Sequence, residues 1–258
     1  ICPLQYHGKA TEEYITEFGN ALDPDLALIW TGREICSEYL DIADAKVFQA
    51  NTNHTPLYWD NYPVNDVAML NELHVGPIEG REKGLENYSL GYFANPMDRF
   101  ELSLISLSTI GDYLWDTQGY EPQVSWEYSL TLLMDNSGDR AAIRNLLRGC
   151  FESCLRVNPA PDFSAMLEAA SFSWKTGKPA QAAQLVENHS KQMLRDVATI
   201  KSAQFSQPQW REESLKWLTK YEAVGKALME IADILSNCGV SKNSNLSGSK
   251  ADLAVIKS

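Results

Sequence analysis

The stretch PLYWDNYPVND at residues 56–66 decides the fold. Its first four residues, 56–59, are apolar and β-prone, and a polar loop begins at once with Asp60. A near-continuous apolar run bounded by polar residues is typical of a strand that is covered on both faces. This stretch therefore predicts a strand of a parallel sheet, with a polar loop at its carboxyl end.

Three further short apolar runs flank this stretch, at residues 1–5, 26–30 and 90–94. Helical patterns lie between and after these runs, at about residues 11–22, 41–49, 83–87 and 99–114. Alternating strands and helices are typical of a parallel sheet, and eight such units close into a barrel of about 250 residues. The four units here predict half of a (β/α)₈ TIM-type barrel over residues 1–118.

Half a barrel has two open sheet edges, which must be paired or covered. We expect the other half of the barrel to cover them. The chain opens at Ile1 in an apolar segment, which suggests a fragment or a processed product. Closure of the barrel by two copies of this chain is a weaker alternative.

Beyond Trp115 the strand signals stop and the apolar residues adopt helical spacing. Asp139 is a candidate N-cap for the first of these helices, and Asp162 for the next. The first helix has an apolar face made of Ala142, Ile143, Leu146, Leu147, Cys150, Phe151 and Cys154.

Proline and glycine mark the later helix boundaries: Gly177 ends one helix, Pro179 begins the next, and Pro208 opens the last long one. These patterns predict a helical bundle over residues 119–237. From Ser236 onward the chain is rich in Ser, Asn and Lys, which predicts a flexible tail over residues 238–258. The predicted fold class is α/β followed by all-α.

The composition excludes several kinds of partner. A formal net charge of −12 argues against nucleic acid or an anionic membrane face. No apolar run reaches the length of about 18 residues that a transmembrane helix needs. The four histidines are scattered, so we expect no metal and no cofactor. The five cysteines are odd in number and without CxxC spacing, which favours buried thiols over a disulfide framework.

Aromatic, amide and carboxylate side chains follow the predicted strands at the rim where a barrel carries its working residues. The candidates are Tyr6, Trp59, Asn61, Asp66 and Asn95. A sugar ring packs its apolar face on an aromatic side chain, and its hydroxyls need amide or carboxylate partners. Each candidate also has a structural alternative: Tyr6 and Trp59 as packing residues, Asn61 and Asn95 as turn residues, and Asp66 as a helix cap.

Several motifs in register resemble glycoside hydrolase family 84, the β-N-acetylglucosaminidases that remove O-linked GlcNAc from proteins. They fall at residues 2–6 (CPLQY), 29–32 (IWTG), 59–66 (WDNYPVND), 73–77 (LHVGP), 80–81 (GR), 94–97 (ANPM), 112–115 (DYLW) and 125–127 (SWE). The resemblance implies that the chain is the second, C-terminal half of the catalytic barrel followed by the family's helical domain.

The resemblance also implies a retaining mechanism in which the sugar's own acetamido oxygen attacks the anomeric carbon. Tyr6 would then hydrogen-bond near the acetamido group or the departing oxygen, and Trp59 would form a wall beneath the acetamido methyl. Asn61 would contact the acetamido group, Asp66 the O4 and O6 hydroxyls, and Asn95 the O3/O4 edge.

The sequence departs from the family in lacking its catalytic pair of adjacent aspartates. Asp23 and Asp25 precede a strand, and Asp60 is not a convincing substitute. We therefore expect part of a β-N-acetylglucosaminidase that is inactive in isolation. Its partners would be a GlcNAc-bearing glycan or glycoprotein and the N-terminal half of the barrel. The alternative is a non-enzymatic glycan-binding or interaction module derived from such an enzyme. The YPVND form (62–66) resembles bacterial members, which favours a secreted or cell-surface location.

Overall fold

The computed structural model describes residues 1–133, 136–151, 153–155, 160–205 and 208–241. The described chain is largely helical and contains a small parallel sheet. It divides into two compact units. Unit 1 consists of Ile1–Asp162 with Asp196–Tyr221, and unit 2 of Phe163–Arg195 with the residues from Glu222 onward.

The sheet lies in unit 1 and has three strands, β1 (Leu28–Trp30), β2 (Pro56–Pro63) and β3 (Gly91–Asn95). They are parallel, in the order β1-β2-β3. Three of the four predicted strands are thereby confirmed. The predicted end of β2 is wrong, because the strand continues past Trp59 to Pro63 and Asp60 and Asn61 lie inside it, not in a loop. The polar residues that follow the strands gather at one edge, because parallel strands end on the same side of a sheet.

The fourth predicted strand, at residues 1–5, is wrong. This segment lies along β1 without forming a continuous ladder: Ile29 N donates to Ile1 O at 2.9 Å, and Thr31 N donates to Tyr6 O at 2.9 Å. Ile1 and Tyr6 are five positions apart, but their partners Ile29 and Thr31 are only two positions apart, so the segment between Ile1 and Tyr6 bulges away from β1. Pro3 also has no N–H to donate.

The helices confirm the helical second part and the helices predicted at about residues 11–22, 41–49 and 99–114, whereas the helical pattern at residues 83–87 is only a short 3₁₀ turn. In chain order they are α1 (Glu13–Ala21), α2 (Ile42–Thr52), α3 (Phe100–Trp115), α4 (Pro122–Ser129), α5 (Ser137–Arg148), α6 (Pro161–Lys175), α7 (Pro179–Ser202) and α8 (Gln209–Ser241). Short 3₁₀ turns occur at Val67–Met69, Leu85–Tyr88 and Leu130–Leu132.

Two predicted helix caps are wrong. Asn136 caps α5 by accepting from Gly138 N at 2.8 Å and Asp139 N at 3.0 Å, so Asp139 lies inside the first turn. Asp162 lies in the first turn of α6, where Arg148 donates to it at 2.6 Å. A carboxylate in the first turn still interacts favourably with the helix dipole.

The boundaries marked by glycine and proline are confirmed. Gly177 has a φ of 78° and separates α6 from α7, which begins at Pro179. The last helix, α8, continues to Ser241, past Ser236, where the sequence predicted its end. Residues 242–258 of the predicted tail lie outside the described residues.

One face of the sheet packs on helices and the other carries exposed apolar side chains. Trp30 is 1% exposed and stacks on Phe48 of α2 with ring centroids 4.7 Å apart, so it is a core residue. The cluster on this face includes Ile15, Leu28, Trp30, Leu40, Ala45, Phe48, Tyr58 and Leu85. On the opposite face Ile29 and Leu57 are half-buried, and Trp59 and Phe93 are exposed.

A second core of unit 1 is built mostly from helices. Trp126 of α4 meets Phe151 edge-on at 4.9 Å and donates from its indole nitrogen to Val75 O at 2.7 Å. In unit 2, Ser190 of α7 donates to the Gly225 carbonyl of α8 at 2.7 Å. Within the described ranges, no helix is both long and apolar enough to cross a bilayer.

All five cysteines are free thiols. The prediction that they are buried is wrong for Cys2 and Cys238, which are exposed, and holds only in part for Cys36, Cys150 and Cys154, which are half-buried. Cys150 packs against the mostly helical core of unit 1, and Cys154 packs against a smaller cluster around Tyr62.

Candidate functional site

The side-chain amide of Asn61 is the centre of the candidate site. Its Oδ1 accepts from Trp59 Nε1 at 3.0 Å and from Asn95 Nδ2 at 2.9 Å. Its Nδ2 donates to the carbonyl oxygen of Ile35 at 2.8 Å. Asn61 is 8% exposed and therefore joins β2, β3 and the loop after β1 in one fixed arrangement. Hydrogen-bonded amides of this kind lose little further freedom when a ligand binds.

Trp59 presents an apolar ring surface beside this amide. Its side chain is 39% exposed, and its indole N–H is already held by Asn61. Phe93, opposite Trp59 in the sheet register, is 53% exposed. An oriented and accessible indole suits the apolar face of a sugar ring or an acetamido methyl group.

Asp60 lies between Trp59 and Asn61 in β2 but points away from the candidate site. Arg81 donates to both carboxylate oxygens of Asp60, from Nε at 2.7 Å and from NH2 at 2.6 Å. Tyr92 donates its hydroxyl to the same carboxylate. Both charged side chains are almost fully buried, and the remaining guanidinium nitrogen of Arg81 donates to the carbonyls of Glu38 and Glu79.

The charges of this buried group reinforce one another. Burial alone would lower the pKa of Arg81, but the Asp60 carboxylate outweighs burial and raises it above the ordinary arginine value. Burial, followed by Asp60, holds the pKa of Tyr92 well above its usual range. Both oxygens of the Asp60 carboxylate are thus occupied by Arg81, and one of them also accepts from Tyr92.

Asp66 sits at the start of the 3₁₀ turn Val67–Met69. Its side chain is exposed and makes no capping hydrogen bond, so the structure does not use it as a helix cap. The next residue, Val67, has a φ of 50°, which is rare for a β-branched residue. Strained conformations of this kind persist where the surrounding structure imposes them, often next to ligand sites.

Hydrogen bonds to Glu72 and His74, at the end of the loop that carries Asp66, hold this loop in place. Asn65 Nδ2 donates to Glu72 O at 2.9 Å. The buried ring of His74 contacts Val64 O at 2.7 Å and Glu72 Oε2 at 2.8 Å. The loop therefore closes on itself through residues that the sequence did not single out as supports.

Tyr6 is half-buried at the end of the segment that runs beside β1. Its ring meets His7 edge-on, with centroids 5.6 Å apart, and its carbonyl accepts from Thr31 N. This places Tyr6 next to the carboxyl end of β1.

The structure joins three of the five predicted site residues directly, namely Trp59, Asn61 and Asn95. Tyr6 and Asp66 lie on neighbouring segments, without a described hydrogen bond to those three. Sequence reasoning missed Arg81 and Tyr92, which hold Asp60. The available signal was an aspartate inside an apolar strand, because such a charge needs a buried partner. Among the described residues, no group of three His, Cys, Asp or Glu side chains could hold a metal ion.

Comparisons with known proteins agree on one family. The family model described as beta-N-acetylglucosaminidase matches residues 1–148. The proteins named Protein O-GlcNAcase from Rattus norvegicus and Mus musculus are each 25% identical over 119 residues, which covers 44% of this chain and 13% of theirs.

Two solved structures share the fold. A mutant of the Thermobaculum terrenum O-GlcNAc hydrolase superposes with a TM-score of 0.87 at 24% identity, covering 93% of this chain and 51% of that one. The structure of CpGH84B gives a TM-score of 0.83 at 23% identity, covering 94% of this chain and 43% of that one. The chain thus spans about half the length of these solved proteins and a smaller share of the curated relatives.

Proposed function

This chain belongs to the β-N-acetylglucosaminidase family, and we propose that it forms part of the sugar-binding rim of a retaining enzyme that removes terminal GlcNAc from O-GlcNAc-type substrates. The observation that carries the proposal is the Asn61 amide, which holds Trp59 and Asn95 at the carboxyl ends of β2 and β3. These ends form the rim at which a (β/α)₈ barrel binds its substrate.

We assign each side chain by what its position can offer. The exposed ring of Trp59 forms a wall beneath the acetamido methyl, and Asn61 contacts the acetamido group itself. Asn95 takes the O3/O4 edge. The exposed carboxylate of Asp66 accepts from the O4 and O6 hydroxyls. Tyr6 places its hydroxyl near the acetamido group or the departing oxygen.

The reaction is substrate-assisted. The acetamido oxygen attacks the anomeric carbon, the glycosidic oxygen leaves with a proton from a general acid, and water opens the resulting oxazoline. The family places two adjacent aspartates in these supporting roles, and this sequence has no such pair. Since Asp60 is bound by Arg81 and Tyr92, we propose that the chain alone is inactive.

The uncovered face of the sheet supports a barrel partner. Ile29, Leu57, Trp59 and Phe93 lie on the face opposite the α1 and α2 helices, and the last two are exposed. In a closed barrel this face would be the packed interior. We propose that residues 1–118 are the second half of a (β/α)₈ barrel, completed by an N-terminal half. Residues 119–237 would form the helical domain.

A second candidate is a non-enzymatic module that binds GlcNAc-bearing glycans. This candidate is favoured by the intact Asn61 amide cluster, which lies beside an Asp60 carboxylate that is already bound by Arg81 and Tyr92. This candidate predicts sugar affinity that does not depend on any added half.

The binding step is tested by titrating the chain with GlcNAc, and with glucose as the control that lacks the acetamido group, by saturation-transfer NMR. We expect transfer to the acetamido methyl protons of GlcNAc and its loss in Trp59→Ala. Trp115→Ala, at an exposed tryptophan at the end of α3, is the matched control that retains binding. Equal signals for the two variants would overturn the site assignment.

A further inference from the structure

We propose that the α8 face formed by Glu213, Lys216 and Trp217 positions two loops of the candidate site, the loop that carries Asp66 and the loop that follows Asn95. The three side chains occupy positions i, i+3 and i+4 of the helix and therefore lie on one side of it. The role of this face in sugar recognition rests on the proposed function, whereas its contacts with the two loops do not.

The loop that carries Asp66 is held by two donors of the α8 face. Trp217 donates from its indole nitrogen to Asn71 O at 3.2 Å. Lys216 Nζ donates to Leu70 O at 3.2 Å and to Asn71 Oδ1 at 2.8 Å. Three hydrogen bonds from one helix thus hold two neighbouring residues of an exposed loop.

Hydrogen bonds within the loop connect this support to Asp66. Met69 N donates to Asp66 O and Glu72 N donates to Met69 O, both at 2.8 Å. Leu70 and Asn71, the residues held by α8, lie within the second of these turns. The Asp66 side chain is exposed and makes no capping hydrogen bond, so the position of its carboxylate follows the loop backbone.

The same helix face reaches the loop between Asn95 and α3. Glu213 Oε2 accepts from Leu102 N, in the first turn of α3, at 3.0 Å. The N-cap residue of α3, Arg99, makes no side-chain capping hydrogen bond, so Glu213 does what a capping side chain usually does. The Arg99 guanidinium also lies 5.3 Å from the centre of the Trp217 ring, within the range of a cation–π contact.

Trp217 is itself anchored in the mostly helical core of unit 1, where it is 5% exposed. The same buried cluster contains residues that adjoin both loops, namely Leu73 and Val75 after the first and Met97 and Leu102 at the second. Protein interiors are close-packed, so a side chain held in this way is a fixed support for the loops that it contacts.

The two loops meet the sugar at the same place in the proposed function. Asp66 is assigned to the O4 and O6 hydroxyls, and Asn95 to the O3/O4 edge. A group that is already held in its bound position loses less freedom when the ligand arrives. We therefore expect the α8 face to govern discrimination at C4, the carbon at which GlcNAc and its epimer GalNAc differ.

Hydrogen exchange followed by NMR tests the contacts without any sugar. Trp217→Phe keeps a buried ring but has no N–H, and Lys216→Met keeps an apolar stem without the ammonium group. We expect the amides of Met69 and Glu72 to exchange about fivefold faster in either variant, because each variant loses a hydrogen bond that holds the loop.

Two matched controls lie on the same helix. Trp210 is a fully buried tryptophan of the same cluster, and among the described residues its Nε1 has no hydrogen-bond partner. Lys220 is an exposed lysine one turn beyond Lys216. We expect Trp210→Phe and Lys220→Met to leave the exchange of the two loop amides as in the wild type.

The ratio of the affinities for GlcNAc and GalNAc tests the positioning role. We expect the wild type to bind GlcNAc more tightly. Trp217→Phe and Lys216→Met should lower the affinity for GlcNAc by about fivefold and change that for GalNAc by less than about twofold, since only the equatorial O4 loses its partner. A purely structural role would lower both affinities in the same proportion.

Two results would overturn the proposal. One is unchanged exchange of the Met69 and Glu72 amides in both variants. The other is an equal loss of affinity for the two sugars. A wild-type chain that bound neither sugar would refute the proposed function and the sugar role of the α8 face with it, and the exchange rates would still decide whether this face holds the loop.

Discussion

Arg81 holds Asp60 through both carboxylate oxygens, at 2.7 and 2.6 Å, with both side chains almost completely buried. Asp60 is the residue between Trp59 and Asn61, the two side chains at the centre of the candidate sugar site. The ion pair on one face of β2 therefore fixes the strand whose other face carries the candidate site.

Arg81→Ala is expected to destabilise the chain by about 3–5 kcal/mol, because it leaves the buried Asp60 carboxylate without its partner. Urea unfolding followed by circular dichroism measures this. Arg33→Ala is the matched control: Arg33 also forms a two-pronged pair, with Asp44, but its side chain is 58% exposed. Solvent screens an exposed pair, so we expect Arg33→Ala to lose far less stability than Arg81→Ala. If the two variants lost the same stability, the buried pair would not have the role given to it here.

Asn61→Ala is expected to weaken GlcNAc binding by at least about tenfold, since it removes the amide that orients Trp59 and Asn95 and leaves Asn95 Nδ2 without that acceptor. Titration followed by NMR gives the affinity. Asn51→Ala is the matched control. The Asn51 side chain also donates to a backbone carbonyl, that of Val47, but it lies on α2, away from the candidate site. An affinity for Asn61→Ala within twofold of the wild type would refute the site.

Asp66→Ala and Tyr6→Phe separate binding from catalysis once the barrel is complete. Asp66→Ala removes hydroxyl contacts that are present in ground state and transition state alike, so we expect a higher KM with little change in kcat. Tyr6→Phe is expected to lower kcat instead, if its hydroxyl acts on the developing charge. Steady-state kinetics on a chromogenic β-N-acetylglucosaminide distinguish the two patterns. An unchanged KM for Asp66→Ala would remove Asp66 from the pocket.

The pH dependence of Cys36 alkylation follows from its lowered pKa. A lowered pKa means that the reactive thiolate persists to lower pH, so the alkylation rate of Cys36 should fall at a lower pH than that of an ordinary cysteine thiol. Because the hydrogen bond from Cys154 is the main cause, Cys154→Ala should move the midpoint for Cys36 back up. Iodoacetamide labelling quantified by peptide mass spectrometry measures both midpoints. Coincident midpoints for Cys36 in the two proteins would contradict the assigned cause.

Local sequence patterns were enough to predict most of the elements. Three apolar runs became β1, β2 and β3, and Gly177 and Pro179 marked a helix boundary correctly. The predicted strand at residues 1–5 failed because pairing depends on the partner's register, which a single apolar run does not contain. The predicted N-cap of α5 was wrong by a few residues, because Asn136, not Asp139, accepts the free N–H groups at the start of the helix.

The candidate site was predicted in part, and for a physical reason. Trp59 and Asn61 lie in the second half of β2 and Asn95 is the last residue of β3. Because parallel strands bring their carboxyl ends together, these residues were expected to meet. The hydrogen bonds from Arg81 and Tyr92 to Asp60 could not be predicted. The separation of two residues along the chain does not tell which side chain lies against Asp60.

The most direct test of the central claim is hydrolysis of a chromogenic β-N-acetylglucosaminide by this chain alone, and after addition of the N-terminal half of a homologous barrel that carries the aspartate pair. We expect no turnover by the chain alone. We expect turnover when the half is added, and its loss or strong reduction by Asn61→Ala in this chain. Hydrolysis by the chain alone would contradict the central claim, because an acid within this sequence would then perform the catalysis assigned to the absent pair.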